Sequence, residues 1–368
     1  MAAPGRAHHV DYPLAIAVAI LVIGGLFVVA SASSILSSNR FGEAHYYVTH
    51  QLLYGAGIGA AAFVITLNLR YTLWKKLALP LLIASLLLMA LTLLPTIGLS
   101  LKGASRWISV GPVSFQPAEV LKLSFIVYLA SWIASKKRDI GNMKRGLLPF
   151  LVMLGLVSVF FVLQKDLGTL GILGLTAVFL FFASGARMSQ IGLLVILGFL
   201  VGAAFIWLEP YRVSRLLVFT NQKLDPQGIG YQINQALIAI GSGGVFGRGF
   251  GMSRQKFNYL PEAASDSIFA VFGEEFGFVG SVGLVSLFLF FFRRGIRVST
   301  HSADPFARAL AAGISLLVAT QAFINIGAIS GLLPLAGVPL SFISYGSSAL
   351  IMNMAAAGIL LNISKYTR

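Results

Sequence analysis

No cysteine occurs among the 368 residues, so a disulfide-stapled fold is excluded. Histidine is scarce as well. The five residues, His8, His9, His45, His50 and His301, sit at chain ends and connections, with no HExxH pair and no cluster, which argues against a catalytic zinc. No Gx[ST]xG elbow with a histidine partner appears, so a serine-hydrolase triad is not expected. Charge is the third shortage. Only 11% of the residues are charged, against about a quarter in a soluble domain. The shortage is also lopsided: 12 acidic residues face 27 basic ones, for a net charge of +15. An excess of that sign suits nucleic acid, anionic lipid or membrane topology, and its distribution decides among them.

What fills the space is apolar. Hydrophobic residues make up 57% of the chain and the mean hydropathy is +0.86. Ten apolar runs are long enough to read as membrane-spanning helices: 12–33, 46–68, 77–98, 117–135, 147–164, 167–185, 189–208, 266–292, 304–330 and 338–362. The 39 glycines suit helices packed closely in lipid. The first run ends in "VASAS", which has the look of a signal-peptidase site. At roughly twenty residues it exceeds the apolar core of a signal peptide, so it reads as a retained helix. With the N-terminus placed in the cytoplasm, the alternate connections on that side collect sixteen of the 27 basic residues and three of the 12 acidic ones. Most of the basicity is therefore a topology signal. Nucleic-acid binding is not expected, because the basic blocks are short and lack interleaved aromatic platforms.

The expected fold is an all-α integral membrane protein of about ten transmembrane helices, one polytopic domain over residues 1–368, with both termini cytoplasmic. Two outer connections stand out. The shorter, about 99–116, reads "LSLKGASRWISVGPVSFQ" and ends before Pro117, a good first-turn residue. The longer, about 209–265, has no cytoplasmic counterpart, so the chemistry is expected on the outer face. Within it "YQINQALIAIGSGG" has the spacing of a short amphipathic helix. "GSGGVFGRGFG" lacks GK[ST] and follows no strand, so it reads as a turn and packing element sooner than a phosphate cradle.

Each charged residue near this face has a plain reading and a functional one. In "YLPEAASDSIFA", Ser265 or Asp266 could cap the following helix, with Glu262 close to its positive end. Alternatively Asp266, at the water–lipid boundary, is a carboxylate whose partial desolvation makes it a useful base. Glu119 and Lys122 share a helix face after Pro117, as a structural ion pair or as functional groups at membrane depth. Asp166 in "LQKDLGTLG" caps the sixth helix or lines a polar cavity. Arg212 and Arg215 in "YRVSR" are a solvated face or a phosphate-binding pair. At least one of Glu274 and Glu275 should face the bundle interior, with no task assigned.

These stretches coincide with a known family. "GYQINQALIAIGSGGVFGRGFGMSRQKFNYLPEAASDSIFAVFGEEFGFVGS" resembles the core of the SEDS proteins (shape, elongation, division and sporulation: RodA, FtsW and SpoVE). "RWISVGPVSFQPAEVLKLSFIVYLA", "QKDLGT" and "QAFINIGAISGLLPLAGVPLSFISYGSSALI" resemble its other signatures, in order. "SRQKFNYLPEA" is closer to the FtsW branch. The chain departs from the family at Ala264, Ser265 and Ser267 around the aspartate, at Lys165 where proline is common, and at Ser347 where a second glycine is usual.

The resemblance implies a peptidoglycan glycosyltransferase of the bacterial cytoplasmic membrane, serving division or cell shape. Its implied substrate is lipid II, a disaccharide-pentapeptide on undecaprenyl pyrophosphate, and its implied partner is a class B penicillin-binding protein that crosslinks the strands. The essential aspartate falls on Asp266, the important loop tryptophan on Trp107, and the buried ion pair on Glu119 and Lys122. On this reading Asp266 takes the proton of the attacking sugar hydroxyl. Arg106, Arg212, Arg215 and Lys256 are the candidate cations for the departing pyrophosphate, Glu262 orients the loop by pairing with a nearby Arg or Lys, and an apolar groove between spans holds the prenyl tail. A divalent cation, Mg or Mn, would share the pyrophosphate charge, although no dedicated cage is visible. The competing class is a lipid II flippase. Against it stand the outer-face clustering of polar residues and the lack of a pair of interrupted helices.

Overall fold

A computed structural model of the chain describes residues 9–95, 98–101, 104–110, 113–136, 139–208, 213, 218–219 and 228–367. Backbone polar groups in lipid find no water, so apolar runs of this length close their hydrogen bonds internally as helices. The helices are α1 (Tyr12–Phe41), α2 (Tyr46–Asn68), α3 (Tyr71–Leu91), α4 (Pro117–Ser135), α5 (Met143–Leu163), α6 (Leu167–Ala183), α7 (Met188–Leu208), α8 (Ile229–Ser242), α9 (Ile268–His301), α10 (Pro305–Ile329) and α11 (Ser347–Ser364). Among the described residues eight are long and apolar enough to cross a membrane; α6 and the stretch Met188–Ala203 of α7 are shorter apolar helices, which accounts for all ten expected runs. The amphipathic helix expected in the long connection is α8.

Local chemistry sets the helix starts. Asp11 accepts from the Leu14 amide and opens α1, with Pro13 in its first turn. Asp304 does the same for α10, ahead of Pro305. Asn142 accepts from the amides of Lys144 and Arg145 at the π-helical start of α5.

Several boundaries differ from the expectation, and α1 and α9 run on to Phe41 and His301, past the expected ends at 33 and 292. The third span runs over Tyr71–Leu91 instead of 77–98, because Lys75 and Lys76 are carried inside its first turns, where long aliphatic stems tolerate the apolar surroundings. The residues beyond it enter a three-stranded antiparallel sheet, β1 (Gly98–Leu101), β2 (Ala104–Val110) and β3 (Val113–Phe115). The last span is only Ser347–Ser364, and residues 338–346 before it are not helical.

One end of the bundle is tied by Asp11. Its carboxylate takes Arg294 of α9 at 3.2 and 2.6 Å, and its amide donates to Ser364 Oγ of α11. The chain start, the end of α9 and the end of α11 therefore share the end that carries the basic connections. The sheet, the α5–α6 junction, the start of α9 and the segment 331–346 lie at the opposite end. That segment runs through protein. A side chain at Gly25 of α1 would collide with the Phe342 carbonyl, so only glycine admits this crossing.

Candidate functional site

Asp266 ends the turn-rich stretch that leads into α9 and is half-buried. It is not the N-cap residue of the helix. The N-cap position is Ser267, which makes no side-chain cap bond, so the capping reading of Ser265 and Asp266 is corrected. Ser267 Oγ accepts instead from Gln232 of α8 at 3.0 Å. The loop shapes itself around Glu262, in left-handed backbone at φ 53°. Its carbonyl accepts from the amides of Ser265 and Ser267, and its Oε2 from the Ser265 hydroxyl at 2.7 Å.

The loop is then fastened through its carbonyls. Asn325 of α10 donates from Nδ2 to the Asp266 carbonyl at 2.8 Å and to the Val338 carbonyl at 2.7 Å. Ser344 Oγ donates to the Ser265 carbonyl at 2.6 Å, and the Tyr345 amide to the Ala264 carbonyl at 2.9 Å. One turn above Asn325 on α10, Gln321 donates to the Pro339 carbonyl at 2.9 Å and accepts from Lys122 Nζ at 2.8 Å. Lys122 in turn pairs with Glu119 at 2.9 Å, both 3% exposed. Gln51 of α2 clamps the far side, with Oε1 accepting from the Gly346 amide and Nε2 facing the Ser344 carbonyl. Buried irregular backbone must find partners, and amide side chains supply them here. The ion pair Glu119–Lys122 is thus the outer link of a chain that ends on the Asp266 loop.

Gln51, Gln321, Asn325 and Ser344 were missed by sequence reasoning. Their only signal was being polar within apolar runs. His50, expected away from the long segment, lies beside the start of α11. Its Nδ1 lies 3.3 Å from the Tyr345 hydroxyl and 3.4 Å from Ser347 Oγ. Burial first, then the neighbouring Tyr47 and Tyr46, push the Tyr345 phenol up to about 12, so it stays protonated beside that nitrogen.

Glu274 and Glu275, each 1% exposed, acquire a task. Glu274 accepts from Ser253 Oγ at 2.6 Å and from the amides of Arg254 and Gln255 at 3.0 and 3.2 Å. Arg248 Nε lies 3.6 Å away. Glu275 takes Lys256 Nζ at 3.3 Å, and the same ammonium bonds Ser31 Oγ and the Gly251 carbonyl. Lys256 is 6% exposed. Its expected role as a cation for the leaving group is therefore corrected: burial commits its charge to Glu275. The glycine-rich turn is a packing element, as expected. It fills a break in α9 at Gly277 (φ 66°, ψ −162°), where Gly244 and Val245 carbonyls accept from the Phe278 and Val279 amides. One helix is thus interrupted after all. Among the described helices it has no counterpart in the first half of the chain.

Arg106 is also committed. It donates to the carbonyls of Gln164 at 3.2 Å and Lys165 at 2.6 Å and lies 3.8 Å from Asp166, so it docks β2 onto the α5–α6 junction instead of facing a ligand. Asp166 caps α6 as expected, accepting from the amide and hydroxyl of Thr169. Trp107, next on β2 and paired with Leu99 on β1, is half-buried. It points to the other face of the sheet from Arg106. Arg212 and Arg215 lie outside the described residues. Among the described residues no three histidine, aspartate or glutamate side chains gather as metal ligands. An apolar groove of about 580 Å³ runs between α1 and α9, walled by Phe27, Phe250, Phe272 and Phe276.

Comparison with known proteins gives a consistent result. A family model described as "Cell cycle protein", covering FtsW, RodA and SpoVE, matches residues 12–368. The chain is 37% identical to stage V sporulation protein E of Bacillus subtilis, over 97% of this chain and 98% of that one. It is 38% identical to a probable peptidoglycan glycosyltransferase FtsW of Trichlorobacter lovleyi, over 98% and 94%. Among solved structures it resembles a chain of a peptidoglycan synthase complex that coordinates polymerization and crosslinking, with TM-score 0.78, 26% identity and coverage of 96% and 97%. Rod shape determining protein RodA of Thermus thermophilus follows, with TM-score 0.69, 25% identity and 96% of each chain covered.

Proposed function

Because the chain belongs to the FtsW, RodA and SpoVE family, with relatives named as probable peptidoglycan glycosyltransferases, we propose that it polymerises lipid II into β-1,4-linked glycan strands with Asp266 as general base. The Asp266 carboxylate takes the proton of the acceptor 4-hydroxyl as that oxygen bonds to the donor's anomeric carbon. The bond from that carbon to the α-linked diphosphate breaks on the opposite face, and the diphosphate leaves with the electron pair. One inversion results. Diphosphate is a competent leaving group, so no second acid is required, and charge on it calls for preorganised cations. With Arg106 and Lys256 committed elsewhere, Arg212 and Arg215 carry that assignment. A divalent cation (Mg or Mn) riding on the diphosphate would need no cage of three protein ligands.

The observation that supports this reading best is the manner in which Asp266 is held. Asn325 of α10 and Ser344 and Tyr345 of the segment 331–346 fasten the carbonyls of Asp266 and of the two residues before it, and Gln232 of α8 bonds the Ser267 hydroxyl after it. Preorganisation of that kind is what a base acting on a bound alcohol needs. The end of the bundle opposite the basic connections is the outer face on the positive-inside rule, where a lipid-borne glycan is reached. A class B penicillin-binding protein as crosslinking partner accords with the likeness to the synthase complex.

Purified protein and lipid II in detergent test the proposal. Asp266→Asn should bind lipid II and melt like the wild type yet make no polymer. Glycan strands from that variant would refute the assignment. The break in α9 is the one feature that favours a transporter, and translocation of lipid II without polymer by the wild type would support that reading instead.

A further inference from the structure

A second polar concavity lies at the far end of the bundle from Asp266 and has no part in the reaction above. It is a recess of about 200 Å³ walled by the chain start (His9, Asp11), the last turns of α9 (Arg294, Arg297, His301) and the end of α11 (Thr367). Its one carboxylate is already compensated. Asp11 Oδ1 accepts from the Leu14 amide and Arg294 Nε, and Oδ2 from Arg294 Nη2 at 2.6 Å. The second guanidinium, that of Arg297, is exposed one turn from the exposed His301 ring. His301 Nδ1 lies 2.9 Å from the Arg297 carbonyl, which can only accept, so the proton sits on Nδ1. In the imidazolium form the remaining nitrogen, Nε2, is a donor as well. Among the described residues, the charged and titratable groups sharing the recess with it are His9, Asp11, Arg294 and Arg297, while the hydroxyls of Ser364 and Thr367 donate to the Leu361 and Ser364 carbonyls. A concave site with one neutralised arginine, one that has no carboxylate partner among the described residues, and a histidine matches a phosphate group, which guanidinium binds in a planar fork.

We propose that this recess binds a phosphate-bearing anion, the headgroup of an anionic phospholipid at the membrane end of α1, α9 and α11. One guanidinium directed at one phosphate corresponds to roughly a fivefold preference.

The test uses the full-length protein in neutral detergent, with native mass spectrometry of bound phosphatidylglycerol against phosphatidylcholine of the same acyl chains. Wild type should prefer phosphatidylglycerol, and Arg297→Gln with His301→Gln should lose that preference. Arg293→Gln, an exposed arginine outside the recess, should retain it. If wild type shows no lipid preference but inorganic phosphate raises its melting temperature and not that of the double variant, the site stands and its source is a soluble phosphate. Equal loss in the Arg293 variant would mean diffuse surface charge, and would overturn the proposal. So would an unchanged preference in the double variant, or no response to either ligand. None of these positions touches the Asp266 end, so polymerising activity should persist in all the variants and reports separately on the proposed function.

Discussion

Asp266 and the Glu274–Glu275 pair stand about two turns apart around the start of α9, and the protein holds them in opposite ways. The two glutamates are consumed through their side chains: hydroxyls, amides, an arginine and a lysine close around their oxygens. Asp266 is fastened through its backbone, by Asn325 on its own carbonyl and by Ser344 and Tyr345 on the two carbonyls before it. Carboxylates around the start of one helix thus divide into a buried staple for the glycine-rich turn and a half-buried group whose backbone is positioned by distant elements. Burial separates them more clearly than sequence neighbourhood does.

The comparison can be broken most decisively with Asp266→Asn. Polymerisation should fall by at least about a thousandfold, within the range of general-base catalysis, with no change in melting. Glu275→Gln should do the reverse. Leaving the Lys256 ammonium buried without its partner costs about 3–5 kcal/mol of stability, read as a lower melting temperature. Activity should fall only in proportion to unfolding. Replacing both partners, Lys256→Met with Glu275→Gln, should recover most of that loss. If the double variant melts no higher than the single one, Glu275 is not acting as the lysine's counter-ion.

Asn325→Ala tests the link between the two halves of the comparison. It strips the carbonyls of Asp266 and Val338 of one donor, which costs about 1–3 kcal/mol. It should lower kcat more than it changes lipid II binding. An effect on binding alone would separate Asn325 from the positioning of Asp266.

The smallest effect is expected at Lys165. It sits in left-handed backbone at φ 56° after α5, with its amide on the Val162 carbonyl and the Asp166 amide on the Phe161 carbonyl. Lys165→Gly should raise stability by about 1 kcal/mol, seen as a small gain in melting temperature. Proline, common here in the family, has neither the amide nor access to this φ, so the departure has a backbone reason.

The ten spans were legible because lipid leaves the backbone few choices, and caps such as Asp11, Asp166 and Asp304 mark helix starts by chemistry within three residues. The ion pair Glu119–Lys122 was legible for the same reason of spacing. Lys256 and Arg106 were misread because charge near a site looks the same whether it faces a ligand or a buried carboxylate. Gln51 and Asn325 were invisible because the backbone they satisfy lies far along the chain, at Gly346 and Val338 among others.

By itself the sequence determined a membrane bundle, its two unlike ends, and the carboxylates available at one of them. Those follow from hydropathy and local spacing, which act over a few residues. Only the tertiary structure decided which carboxylates are buried and how each is held, because that depends on donors brought together from distant helices, and desolvation makes each such pairing all or nothing.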